Sequence, residues 1–107
     1  MASVAQQIDL AAWIDKSLDY LMSNWDDIPE IAADWDNWDE DDRLDFVLEW
    51  PLREDRLHQL QRWQIDGNLS ASQLQRFAEL EELIERNTPT LGHLLEDESA
   101  IAPGLAP

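Results

Sequence analysis

The sequence predicts an all-α fold: a small single-domain bundle of about five helices, including a C-terminal helical hairpin. Three observations carry that prediction. Apolar residues recur at three- and four-residue steps along nearly the whole chain, which gathers them on one face of a helix. Sustained period-two alternation, the mark of a half-buried strand, is missing from the sequence. Ser, Asp, Pro and Gly fall where helices start and stop. At 107 residues the chain fits one domain, and its 44% hydrophobic content with six Trp is enough for one core.

The first helix is predicted over 4–24. Ser3 and Gln6 have the spacing of a capping box. Val4, Ile8, Ala11, Leu18, Leu21, Met22 and Trp25 form its apolar stripe, widened by Ile14, and Trp13 and Tyr20 share a neighbouring face. Trp13, Trp25 and Trp63 are all expected on apolar stripes. A short second helix covers 28–36. Asp27 and Glu30 are spaced as its N-cap and N3, and Pro29 sits in its first turn, where a missing N–H costs nothing. Asn37 breaks it. Asp39 then caps a third helix to about residue 49, with Asp41 and Asp42 near its positive end. Leu44, Val47 and Leu48 make its stripe, with Phe46 and Trp50 beside it.

Pro51 disfavours helical geometry at Trp50, so it is expected to end the third helix and open a fourth over 51–66. Leu57, Leu60 and Trp63 are its inward positions, with Leu52 in its first turn. Gly67 stops it. Ser70 and Gln73 are spaced as N-cap and N3 of a fifth helix over 71–87, with Leu69 and Leu74 as its hydrophobic staple. That helix is expected to bury Leu74, Phe77, Leu80, Leu83 and Ile84. Thr88 and Pro89 open a short last helix over 89–96. The domain therefore spans 1–96: an acidic half over 1–50, a hairpin over 51–87 and the last helix. Residues 97–107, small and Pro-containing, are expected to be a flexible tail.

Composition narrows the function. The chain has no Cys, which removes disulfides, thiol catalysis and cysteine metal sites and fits a reducing compartment. It has no apolar run of bilayer length and no secretory signal at its start, so a cytoplasmic location is expected. The net charge of −17 repels nucleic acid and anionic membrane and attracts a basic protein. Nucleophile elbow, P-loop and dinucleotide fingerprints are missing. Asp55 and His58 make one carboxylate–histidine pair, where a di-iron helix motif needs two and further carboxylates. A calcium loop started at Asn37 has Asp42 where Gly is required and Leu48 where Glu is required. The expectation is no enzyme, no metal and no cofactor.

The charge is unevenly placed. Residues 1–50 hold 14 acids and 2 bases, net −12, and residues 51–107 hold 10 acids and 5 bases, net −5. In the second half Arg62 with Asp66, Arg76 with Glu79 and Glu82 with Arg86 have the spacing of helical ion pairs. Residues 26–49 hold 11 acids and a single base, Arg43. Laid out as helix, that is about one net charge per 3.6 Å, near the ~3.4 Å phosphate spacing of a DNA strand. An indole flanked by carboxylates suits an arginine, because the ring face attracts guanidinium and the carboxylates accept its hydrogen bonds. The expected partner-binding residues are Asp34, Trp35, Asp36, Trp38, Asp39, Glu40, Asp41, Asp42, Asp45, Glu49 and Trp50.

The function expected is a non-catalytic acidic binding module that docks on a basic protein surface, as an inhibitor, an antitoxin-like partner or a nucleic-acid mimic. The alternative is a structural subunit or homodimer built on apolar helix faces, with the acid serving solubility. Salt adaptation is a third reading, favoured by one Lys against six Arg. It predicts acid spread evenly over the surface, whereas here acid concentrates before residue 50.

Overall fold

Heptad spacing, more than proline, decides where the helices run. The computed structural model describes the backbone of residues 2–96 and the side chains from Leu10 onward; the tail expected over 97–107, and the side chains of Val4 and Ile8, lie outside that description. The described residues form helix α1 (Ala2–Asp26), a short α2 (Ile28–Asp34), one 3-10 turn (Trp35–Asn37), α3 (Glu40–Ile65) and α4 (Ala71–Leu95). The fold is all-α, with no strand among the described residues.

Each long helix turns one narrow stripe inward. In α1 the stripe is Ile14, Leu18, Leu21 and Trp25, continued by Ile28 of α2. In α3 it contains Phe46, Trp50 and Leu60, and in α4 Phe77, Leu80, Leu91 and Leu94. The steps alternate between three and four residues, the 3.5-residue period of helices that pack side by side. These side chains form one continuous core. Burying each contributes about 1.5–3 kcal/mol before the entropy of ordering the chain is subtracted. Helix α1 is central: it packs most extensively on α4 and then on α3, while α3 and α4 meet only slightly.

The junction from α3 to α4 obeys its local sequence. Gly67 takes φ +77°, in the left-handed region. Its N–H donates to Gln64 O at 3.0 Å and that of Asn68 to Trp63 O at 2.9 Å, the paired bonds that close a helix end. Ser70 Oγ then accepts from Gln73 N–H at 3.2 Å, and Gln73 Oε1 accepts from Ser70 N–H at 2.9 Å, a complete capping box. Asp39 caps α3 by accepting from the Asp42 N–H at 2.9 Å. The expected staple is corrected in one half: Leu69 is buried, but Leu74 is 42% exposed and Gln73 takes the inward place. Gln73 Nε2 reaches α1, donating to Asp15 Oδ1 at 2.9 Å and Ala11 O at 3.3 Å. The two helices joined here pack on α1 more than on each other, so the expected hairpin is not a unit of the fold.

Several expected boundaries are corrected. Pro51 and Pro89 both lie inside continuous helices, so the third and fourth helices are one, and 89–96 belongs to the end of α4. Among the described residues the bundle has three long helices and one short one, rather than about five. An interior proline costs about 3 kcal/mol, but a break at Trp50 would pull Trp50, Leu57 and Leu60 off one shared face. Pro51 itself is exposed. Ahead of Pro89, Asn87 Nδ2 donates to Leu83 O at 3.2 Å and Thr88 Oγ1 to Ile84 O at 2.6 Å, side-chain bonds back to carbonyls four residues earlier in the same helix.

Continuity of α3 also rotates its inner face. Phe46 and Trp50 are buried, while Leu48 and Leu52 are 62% and 65% exposed. The larger aromatic area wins the inward positions. Trp13, expected on an apolar stripe, is 52% exposed, with Lys16 Nζ 5.5 Å from its ring centroid. Helix α1 begins at Ala2, so Ser3 lies within it and is not its cap. Asp27 makes no side-chain cap bond and is itself helical, with φ −79° and ψ −13°. Pro29 cannot donate to the Trp25 carbonyl four residues back. Asn87 Nδ2 does so instead, from α4, at 3.4 Å. That bond explains a buried asparagine on the inward stripe of α4.

Candidate functional site: an acidic groove beside an aromatic cluster

The end of α1, α2, the 3-10 turn and the first turns of α3 meet at one corner. Inside it, rings follow one another in contact. Trp25 and Trp50 meet edge to face at 5.2 Å, Trp50 and Phe46 at 5.5 Å, Phe46 and Trp35 at 5.5 Å, and Trp35 and Trp38 at 5.4 Å. Such pairs contribute about 0.5–1.5 kcal/mol each beyond their area. The 3-10 turn is held by Trp38 N–H donating to Trp35 O at 3.1 Å and by Asn37 Nδ2 donating to Asp34 Oδ1 at 2.8 Å. Trp50 Nε1 is buried and meets no acceptor among the described residues, a cost of about 1–3 kcal/mol that the apolar packing of its ring must offset.

Outside the rings lie the carboxylates. Asp34, Asp36, Asp39, Glu40, Asp41, Asp42, Asp45 and Glu49 are all exposed. The Asp39 cap sets Glu40, Asp41 and Asp42 in the first turn of α3, where the helix dipole favours negative charge. It also crowds them. The Asp42 carboxyl is raised above its usual 3.8, first by the charge of Asp39, then by slight desolvation and by Asp45 and Asp41.

A groove of about 550 Å³ opens at this corner. Its apolar lining comes from Ile31, Trp38 and Phe46. Its acidic lining comes from Asp27, Asp39, Asp42, Asp45 and Glu49. Arg53, one α3 turn beyond Glu49, is its cation. The Arg53 guanidinium lies 5.1 Å from the Trp50 ring centroid and 5.9 Å from that of Phe46. Its hydrogen bonds go to neutral oxygens: Nε donates to Asn24 Oδ1 at 2.8 Å and Nη1 to Glu49 O at 3.2 Å.

The eleven expected partner-binding residues thus divide three ways. Trp38, Asp39, Asp42, Asp45 and Glu49 line the groove. Asp34, Asp36, Glu40 and Asp41 are exposed outside its lining. Trp35 and Trp50 are only 5% and 2% exposed, so these two rings are core and offer no contact surface; they fill the gap where short helical pieces meet. Sequence reasoning missed Asn24, Asp27, Ile31, Asn37, Phe46 and Arg53 as groove residues. The signal for Arg53 lay in the seven-residue step from Phe46 to Arg53, which the expected break at Pro51 concealed.

Two further arginines reach across helices. Arg76 pairs with Asp15 of α1 at 3.5 Å and with Asp19, and not with Glu79 as the local spacing suggested. Arg56 Nη1 lies 3.5 Å from the buried Ser17 Oγ, with its guanidinium 5.8 Å from the Tyr20 ring. His58 and His93 are exposed, and among the described residues no group of three or more His, Asp or Glu is gathered to hold a metal ion. No described helix is long and apolar enough to cross a membrane. Compared with known proteins, the chain matches no family model, and no curated protein and no solved structure is significantly similar to it.

Proposed function

We propose that this protein is a non-catalytic binding module whose acidic corner docks on a basic protein surface, in the manner of an inhibitor, an antitoxin-like partner or a nucleic-acid mimic. One observation carries the reading: the exposed carboxylates of residues 34–49 crowd one another beside a groove with an aromatic wall. Like charges held together cost stability in the free protein, and a cationic partner relieves that cost on binding. Solubility alone needs neither the crowding nor the groove. The Cys-free composition supports a cytoplasmic setting for the encounter.

The test starts from a partner captured from the source cells at low salt and released at high salt, then purified. Its association rate is measured from about 50 to 300 mM salt against the native protein and against the six-fold variant D36N/E40Q/D41N/D42N/D45N/E49Q. The reading expects fast association that slows with salt, and a variant that associates at least ten-fold more slowly with a flattened salt dependence. Equal rates for both proteins overturn it.

A second reading, a structural subunit or homodimer, is favoured by Leu48 and Leu52, one turn apart on α3 and both more than half exposed. It expects a concentration-dependent mass in sedimentation that L48E/L52E abolishes.

A further inference from the structure

We infer that the groove is a specific receptor for an arginine side chain of the basic partner, rather than one part of a diffuse negative surface. The inference rests on the docking function proposed above and names the group that the corner recognises.

Three features of the groove select a guanidinium. Its lining combines apolar area from Ile31, Trp38 and Phe46 with five carboxylates, so it matches a side chain that is apolar along its stem and cationic at its tip. Trp38 is half-buried, and its ring stands 6.0 Å from that of Phe46 at 87°, giving the groove an aromatic wall that keeps partial access to solvent. A planar guanidinium stacks on such a wall and donates to carboxylates with several N–H groups at once; a compact, strongly hydrated ammonium does neither as well.

The protein supplies its own example of the mode. Arg53 lies in the same lining with its guanidinium against Phe46 and Trp50. Its hydrogen bonds are to Asn24 and to a backbone carbonyl. An arginine from outside would use the other end of the aromatic row, toward Trp38, where Asp39, Asp42 and Asp45 line the groove. The volume of about 550 Å³ admits one or two such side chains, not a folded element.

The experiment uses the full-length protein and two peptide probes, tetra-arginine and tetra-lysine, titrated by calorimetry at 100 mM salt. Two variants remove the same charge from the same stretch: D42N/D45N/E49Q inside the groove and D36N/E40Q/D41N outside its lining. All six side chains are exposed and Asp39 keeps its cap, so both variants are expected to retain the native helical circular dichroism. The expected result is a loss of tetra-arginine affinity of ten-fold or more for the inner set and under three-fold for the outer set. Native protein should also bind tetra-arginine at least five-fold more tightly than tetra-lysine. Equal losses for the two sets overturn the groove while leaving charge-driven docking standing. No loss from either set overturns both. Equal affinity for the two peptides overturns guanidinium selection.

Discussion

The seam between α1 and α4 and the acidic corner use the same core but treat charge in opposite ways. At the seam, Arg76 of α4 pairs with Asp15 and Asp19 of α1, and Gln73 adds hydrogen bonds to Asp15 and to the Ala11 carbonyl. Its polar groups close on each other across the interface. At the corner, eight carboxylates face solvent around an aromatic cluster, and one of them, Asp42, is displaced from its ordinary titration by its neighbours. The difference teaches that net charge says little about a surface until one knows which charges the fold neutralises. The seam is self-sufficient. The corner carries an excess that only an external cation, salt or protons can relieve.

The sharpest way to break the comparison is to ask whether the two regions share one core. Phe77 at the seam and Trp35 at the corner are both buried. Phe77→Ala and Trp35→Ala should each cost about 3–5 kcal/mol in urea unfolding. A loss under about 1 kcal/mol at Trp35 would mean that its ring is dispensable packing and that the corner is not continuous with the rest.

Asn87 couples the regions from the other direction. It is the α4 side chain that satisfies the Trp25 carbonyl left open by Pro29. Replacing it with Leu keeps the branched outline of the side chain but strands that carbonyl, at about 1–3 kcal/mol. The double change Asn87→Leu with Pro29→Ala restores a backbone donor and should recover much of the loss. If the double variant is no more stable than the single, the cross-helix bond is not what Asn87 contributes.

The charge contrast makes a smaller and pH-dependent prediction. The pKa of Asp42 is higher in the folded protein than its usual 3.8. The folded state therefore holds this proton more tightly than the unfolded chain does. The resulting stabilisation is fully present below the unfolded pKa and is lost as pH rises through the folded value. Melting temperature in dilute buffer should accordingly be higher near pH 4, close to the unfolded value, than well above it near pH 7, with added salt narrowing the gap. Asp39→Asn keeps a good N-cap while removing the first cause of the shift, and should narrow the gap as well. A native melting temperature indifferent to both pH and salt would count against crowding at the corner.

The smallest effect belongs to Trp13. More than half exposed on α1, it should change stability by no more than about 0.5 kcal/mol when replaced by Ala. A loss as large as that at Trp35 would mean that its ring is covered in solution.

The sequence by itself determined the helical class, the capping at Asp39 and Ser70, the turn at Gly67 and the concentration of acid before residue 50. These depend on neighbours within a few residues, so spacing and side-chain chemistry suffice to specify them. It also brought five of the groove residues, from Trp38 to Glu49, into view as one acidic stretch. Only the tertiary structure decided that Pro51 and Pro89 do not end helices, because burial of Trp50, Leu57 and Leu60, or of Leu91 and Leu94, on the same face as the preceding turns outweighs a local penalty. It alone decided that Trp35 and Trp50 are core while Trp13 is not, since an indole suits either place until the facing helix is known. It brought Asp27, Ile31 and Asn24 beside α3 to complete the groove, and sent Arg76 to α1 instead of to its own helix. Those outcomes are set by contacts between residues dozens of positions apart, where the free energy of shared burial outweighs what each segment prefers alone.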